Sequence, residues 1–341
     1  QRKCDDLYRE CRAGRFSYIC GGSSSRLSFV GNIYRRASDT QAAQMKVLVT
    51  GASGFVGRAL APKLADKGHV IVSVGRQEVG EFGPTTDWAP HLDGIDAVVH
   101  LAARVHVMVD NVPDPIAEFR RVNTQGTAAL AKEAKSAGVS RFVNLSSIKV
   151  NGDASEVPFS AADIPAPTDP YGVSKWEAEQ LLNSFANALE IVTLRPPLVY
   201  GPGVKGNFLK LIELVSGRRP LPLASVRKKR SFISSFNLAD AICWALSAQP
   251  GTYLPSDGDD KSTPELITAI ARALGIKPSL FRCPVSLLRI AGGLTGKSSV
   301  IQRLTGSLTV DNNLPGWHPP RSFESSIIQT IQWYQDQNVT A

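Results

Sequence analysis

A chain of 341 residues, 43% hydrophobic and 20% charged, has the length for one large α/β domain plus a smaller lobe, and the apolar content for a sizeable core. No apolar run reaches the roughly 20 residues of a membrane span. Half of the +8 net charge belongs to residues 1–44, which hold eight Lys+Arg against four Asp+Glu, and beyond them basic residues are scattered among acids except in the run Arg227–Arg230. That argues against a nucleic-acid partner.

Residues 1–44 show no sustained period and carry Gly21-Gly22-Ser23-Ser24-Ser25. We expect a disordered extension outside the fold; a transit peptide is the alternative, weakened by Asp5, Asp6 and Glu10. The five cysteines, at 4, 11, 20, 243 and 283, are odd in number and form no CxxC pair, so neither a disulfide framework nor a metal site is expected. Free thiols suit a reducing, cytoplasmic setting.

The first strand opens at Met45 and runs Lys46-Val47-Leu48-Val49-Thr50 into Gly51-Ala52-Ser53-Gly54-Phe55-Val56-Gly57. From Arg58 to Lys67 the apolar positions Leu60, Ala61, Leu64 and Ala65 line one helical face. Strand, glycine turn and helix make a GxxGxxG variant of the dinucleotide fingerprint. Gly51 permits the turn, Gly54 lets backbone approach a pyrophosphate, and Gly57 lets helix and strand pack closely.

His69–Val74 is a second strand ending at Gly75-Arg76. In a dinucleotide fold an acid there grips the ribose of NAD, and an Arg accommodates the 2′-phosphate of NADP. Here Arg76 stands with no acid at the strand end, although a solvated loop residue is an equal reading of it. Asp96–Ala103 reads as a buried parallel strand with small residues behind it, and a long helix follows over 116–137, with Asn123 inside it. Arg141–Leu145 is the next strand, ending in Ser146-Ser147, and a loop rich in Pro, Ala, Ser and Asp crosses 152–170. Thr168, Asp169 and Pro170 then open a helix that places Tyr171 and Lys175 on one face. Another strand, Ile191–Leu194, is broken by Pro196 and Pro197. Beyond Gly201 the alternation loosens into helices near 208–216, 237–247, 264–274 and 325–334.

Ser147 at a strand end, with Tyr171 and Lys175 a turn apart, can move a proton while a cofactor moves a hydride. A phenol is a poor base at neutral pH, and a cation beside it favours the phenolate, so Lys175 is expected to lower the pKa of Tyr171. Ser147 is expected to hold the substrate oxygen.

From Met45 to about Tyr334 the chain resembles the extended short-chain dehydrogenase/reductase family, in its branch of nucleotide-sugar epimerases, dehydratases and reductases typified by the UDP-glucose 4-epimerases. The motifs are Gly51–Gly57, Asp96–Ala103, Asn123 before Gly126-Thr127, Ser147 in Ser-Ser-Ile-Lys-Val-Asn-Gly, Tyr171-x-x-x-Lys175, Arg195–Gly203 and Leu314-Pro-Gly-Trp317. The resemblance implies a doubly wound parallel-sheet Rossmann fold over 45–200 and, over 201–341, a smaller substrate-binding lobe interleaved with the last strands. It implies that Gly54, Phe55 and Val56, in the turn that Gly51 and Gly57 shape, give backbone N–H groups to the pyrophosphate, that Asp87 meets adenine, and that Leu101, Ala102, Ala103, Asn123 and Pro197 line the cofactor, beside Arg76 at the ribose end. Tyr171 and Lys175 would also touch the cofactor, Lys175 at the nicotinamide ribose. Asn207 and Arg230 fall where relatives hold a nucleotide-sugar diphosphate, although a helix cap is an equal reading of Asn207. The helices near 116–137 and 171–188 pair relatives into homodimers.

Lys149 replaces the Glu that 4,6-dehydration needs, Asn151 replaces a frequent Tyr, and Leu198 a frequent Asn. The Ser-Ser-Ile-Lys-Val-Asn-Gly version looks most like 4-keto-reductases and epimerase-like enzymes of bacterial surface-polysaccharide pathways. The expected activity is thus NAD(P)-dependent chemistry at C4 of a UDP-sugar, leaning to reduction of a 4-keto sugar with NADP(H). The alternatives are a 4-epimerase of UDP-glucose or UDP-N-acetylglucosamine with bound NAD, a reductase of non-sugar carbonyls, and a non-catalytic cofactor sensor. The last would be expected to lose Tyr171 or Lys175, and this chain keeps both. Loops near 104–110 and 198–210 would select the sugar.

Overall fold

Five short, mostly apolar stretches, Lys46–Thr50 (β1), Val70–Val74 (β2), Ala97–His100 (β3), Arg141–Leu145 (β4) and Glu190–Leu194 (β5), become parallel strands, joined from far along the chain by Gly251–Tyr253 (β6). The computed structural model describes residues 44–105, 114–296 and 298–339. Residues 1–43, with Cys4, Cys11 and Cys20, lie outside them, as do 106–110 of the loop expected to select the sugar. The strands stand in the order β2-β1-β3-β4-β5-β6, and every pairing is parallel. The sheet is doubly wound as expected. Its order reverses between β1 and β3, and the crevice beyond the carboxyl ends of those strands is where such sheets bind ligands.

Alternate residues of each strand point to opposite faces. Val47, Val49, Val99, Val143 and Val192 pack beneath Leu60 and Leu64 of helix α1 (Phe55–Asp66). Leu48, Val98, Phe142 and Ile191 pack on the other face, against Leu130 and Ala134 of α2 (Gly126–Ser136) and Leu182 of α3 (Pro170–Asn183). Both faces are covered, which is why the strands read as nearly continuous apolar runs. The third glycine of the fingerprint serves this packing: a Cβ on Gly57 would lie 2.4 Å from the Ala52 carbonyl oxygen. Gly57→Ala is therefore expected to destabilise the fold by about 1–3 kcal/mol, the range for overpacking; an unchanged urea midpoint would show that the turn yields freely.

Two boundaries differ from expectation. α1 starts at Phe55 rather than Arg58 because Gly54, in an extended conformation, is its N-cap. The long helix expected over 116–137 is three segments: Pro115–Phe119, a π-helical turn Arg120–Gln125, and α2. The widened turn carries Asn123.

The remaining described residues build a second core. Tyr200 and Phe232, Phe208 and Ile212 of α4 (Gly206–Ser216), Ile267 and Ile270 of α6 (Thr263–Ala273), and Phe323, Ile327 and Ile331 of α9 (Phe323–Val339) form it. Between α4 and α6 runs α5 (Ser235–Ala245), whose Leu238 and Ile242 belong to the sheet's own core. The two cores meet at Asp257, which accepts hydrogen bonds from the Tyr200 hydroxyl at 2.8 Å, the Asn237 amide at 2.7 Å and the Ser234 N–H at 3.1 Å.

Candidate active site

β1 runs into Gly51, whose φ of +71° favours glycine. A Cβ there would sit 3.0 Å from the Ala102 backbone nitrogen, so the Gly51 turn and the Leu101–Ala103 segment after β3 meet backbone to backbone at the reversal of strand order. No side chain caps α1 and no acid lies in its first turn. The N–H groups of Phe55 and Val56 thus lack intrahelical acceptors, and the turn presents them to an anion. Small residues, open N–H groups and absent acids fit a dinucleotide diphosphate.

At the end of β2 the structure corrects the expectation that no acid is present. Arg76 opens a single-turn helix, is 75% exposed and reaches the exposed Glu81 carboxylate at 3.5 Å. Glu78 folds back so that its Oε2 accepts the Gly75 N–H at 2.7 Å. An Arg and a carboxylate therefore stand together there. Asp87 is exposed and accepts from the Ala89 N–H at 3.2 Å.

Ser147 follows β4 in extended conformation, and its Oγ accepts the Lys149 N–H at 3.2 Å. Asp169 caps α3 through the Gly172 N–H at 2.7 Å, as the sequence suggested, and Tyr171 becomes the second residue of the helix. The Ser147 hydroxyl lies near enough to the Tyr171 phenol to favour its ionised form. Phe119 lies edge-on to the Tyr171 ring, with centroids 6.1 Å apart. Burial pushes the phenol up to about 12; the Ser147 hydroxyl opposes this and the Asp169 carboxylate adds to it. The expectation that Lys175 lowers the Tyr171 pKa is therefore not met. Lys175, 1% exposed, is pulled down to about 8 by burial, against the raising effect of Glu179 one turn on. At neutral pH the pair is a protonated phenol beside a mostly protonated ammonium, which is a proton donor's state.

The sequence reading missed what holds this pair. Glu179 is buried, accepts from the Ser146 hydroxyl, and binds Arg195 through Nη2 at 2.5 Å and Nε at 3.1 Å. Arg195 also donates to Asn151 Oδ1 at 3.0 Å. Ser146, Asn151, Glu179 and Arg195 thus lock the turn after β4 to α3 and β5. The available signal was the spacing 171, 175, 179 along one helix face.

A second group lies across the sheet, where Thr50, His100, Asn144 and Thr193 stand in register as one buried polar row. The Thr127 hydroxyl donates to the Asn123 carbonyl at 2.6 Å, so it accepts from His100 Nε2 at 3.0 Å. His100 Nδ1 then accepts from the Thr50 hydroxyl at 2.8 Å, which in turn accepts the Ala102 N–H at 3.2 Å. Burial, with the nearby Lys175 charge, pulls His100 down to about 3, so the ring stays neutral and this one tautomer satisfies every partner. Asn123 itself is a tie. Its amide donates to the Arg104 carbonyl and the Ser174 hydroxyl, both at 3.0 Å, and its Oδ1 accepts the Arg104 N–H at 2.8 Å.

On the lobe side, Arg230 donates to the Arg303 carbonyl at 3.2 Å. Burial lowers its pKa, Asp153 raises it and Arg303 lowers it. Asp153 also pairs with Lys149, two residues past Ser147, and so links Arg230 electrostatically to the Ser147 turn. Pro197 is buried beyond β5, and the Pro196 carbonyl accepts the Ile148 N–H at 3.0 Å. Asn207 is exposed in the first turn of α4, whose N-cap is Lys205, so the capping alternative does not hold.

Comparison with known proteins agrees with this geometry. Residues 47–254 match the NAD dependent epimerase/dehydratase family. The chain is 41% identical to a UDP-glucose 4-epimerase of Vibrio cholerae over 86% of its own length and 96% of that protein. It is 27% identical to the GDP-6-deoxy-D-mannose reductase of Pseudomonas aeruginosa over 83% of its length and 94% of that protein. Among solved structures, MoeE5 in complex with UDP-glucuronic acid and NAD superposes with a TM-score of 0.69 at 26% identity, covering 86% of this chain and 99% of that one.

Proposed function

The chain belongs to the NAD dependent epimerase/dehydratase family of nucleotide-sugar enzymes, and from that premise we propose that it reduces the C4 ketone of a UDP-linked 4-keto sugar. The observation that carries the reading is the placing of Ser147 at the end of β4 beside Tyr171 in the first turn of α3, with burial holding the phenol protonated and Lys175 one turn behind it. Ser147 holds the C4 oxygen, Tyr171 gives it a proton, and Lys175 supports the charge left on the phenol. Gly51, Gly54, Phe55, Val56 and Ala102 would hold the dinucleotide, which would supply the hydride when bound. Residues 45–200 hold the cofactor; Asn207 and Arg230, in the lobe over 201–341, hold the sugar diphosphate. Incubation with a UDP-4-keto-6-deoxy sugar and NADPH should yield the 4-hydroxy sugar by mass spectrometry; cofactor left unoxidised with every UDP-4-keto sugar offered would sink the reading. The same reading carries a homodimer through α2 and α3, which light scattering tests.

We favour NADP(H), because the ion pair of Arg76 is a surface one, worth about 0–1 kcal/mol, and a 2′-phosphate would readily displace it. Glu78 works against that choice. Arg76→Ala is expected to lower the ratio of NADPH to NADH efficiency by about tenfold and Glu78→Gln to raise it, since each changes one charge beside the phosphate. Equal ratios in both variants would remove the assignment.

A second reading is 4-epimerisation with retained NAD. It is favoured by the Glu78 carboxylate at the ribose position and by the 41% identical relative. Stoichiometric dinucleotide in freshly purified protein, with UDP-glucose and UDP-galactose interconverting unaided, would establish it over reduction.

A further inference from the structure

The outermost helices of the lobe, α7 (Val285–Leu294) and α8 (Ser298–Thr305), leave an apolar face uncovered. Leu288 and Gly292 turn α7 inward. Leu287, Ile290 and Leu294 follow the i, i+3, i+7 spacing on its outer side and are 55%, 59% and 84% exposed. Phe281 and Val300, before and after, are exposed as well.

Charge says what the face meets. Residues 276–305 hold five Lys+Arg and no acid, and 205–230 hold eight against one, together +12. Since 1–44 carry +4 of the total +8, the rest of the chain amounts to −8. The fold joins the two basic stretches. The Leu221 N–H donates to the Ser279 carbonyl at 2.8 Å, the Phe281 N–H to the Leu221 carbonyl at 3.0 Å, and Arg230 to the Arg303 carbonyl at 3.2 Å. Basic residues that look scattered in sequence order thus belong to one lobe, with Arg282, Arg289 and Arg303 exposed on or beside α7 and α8, and Lys228 paired with Glu156.

We propose that this face docks on an anionic phospholipid surface, with Leu287, Ile290 and Leu294 entering the acyl boundary and the surrounding Arg and Lys meeting headgroups. No helix among the described residues is long and apolar enough to cross a membrane, so the contact lies on the surface. A second copy would set one basic surface against another, and residues 1–44 are also positive; neither charge suits this face. The inference is independent of the C4 chemistry.

The test is co-sedimentation of the full chain with phosphatidylcholine vesicles, with and without about 30% phosphatidylglycerol. Bound protein should rise at least about tenfold with the anionic lipid and fall several-fold in about 1 M salt, where screening is short-ranged. L287S/I290S/L294S should return binding to the phosphatidylcholine level without changing thermal melting. Leu294→Ser alone, at the most exposed position, and Arg289→Glu should each weaken binding severalfold, which keeps the test decisive should the triple variant fail to fold. Equal binding to both vesicle types, or undiminished binding of the Leu294→Ser and Arg289→Glu proteins, would overturn the proposal. So would a self-association that Leu294→Ser abolishes, or equal capture by polyglutamate of wild type and triple variant in place of vesicle binding.

Discussion

Tyr171→Phe is expected to lower kcat by at least about a hundredfold, the lower end of what a positioned acid or base contributes, while leaving dinucleotide affinity within about twofold. The ring keeps its edge contact with Phe119 and the helix keeps its Asp169 cap. Only the hydroxyl is lost, and with it the proton for the substrate oxygen. Because the phenol is held up to about 12, the wild type should remain able to donate across the neutral range. Its activity should instead fall above about pH 8, as Lys175 loses its proton and can no longer support the charge left on Tyr171. Stopped-flow reduction and fluorescence titration of bound NADPH check both halves. A variant that keeps a tenth of the wild-type rate would mean that the proton comes from elsewhere.

Glu179→Gln should destabilise the protein by about 3–5 kcal/mol, the cost of leaving a buried charge without its partner. Glu179 and Arg195 are both buried, and the guanidinium has no other carboxylate among its hydrogen-bond partners there. The same change removes the group that raises Lys175 against its burial, so the alkaline limb of activity should move below about pH 8. The sign follows from losing an anion that favours the ammonium. A denaturation midpoint within about 1 kcal/mol of wild type, with the limb unmoved, would show that Glu179 neither anchors Arg195 nor tunes Lys175. The pH profile separates the two roles, because loss of stability alone leaves the limb in place.

Most of the sheet was legible before the structure. Val47–Val49, Val70–Val74 and Arg141–Leu145 are mostly apolar runs too short for helices, with Gly51, Gly68, Gly75 and Gly138 close to their ends, and covering helices leave strands with that pattern. The glycines of the first turn were legible because close backbone approach tolerates nothing larger, which the Gly57 contact at 2.4 Å makes concrete. Tyr171 and Lys175 were legible because four residues make about one helical turn. Helices α7 and α8 were not: Leu287, Ile290 and Leu294 put a second apolar face on α7 opposite Leu288, which blurs its period, and α8 spans only eight residues.

What the sequence by itself determined is local: the parallel strands, the glycine turn, the Asp169-Pro170 helix start, and the residues that could exchange a proton. Whether they work as one site was decided by tertiary structure, because burial and long-range partners set their charge states. The Lys175 cation suggested a lowered phenol pKa, but desolvation raised it, and Lys175 answers to Glu179. The acid absent from Gly75-Arg76 came from Glu78, since a single helical turn folds its carboxylate back onto the Gly75 N–H. Glu179 with Arg195, and the His100 row across four strands, join residues 16 to 50 positions apart. No local period records such partners; only the packing of α3 and the strand ends brings them within hydrogen-bonding distance.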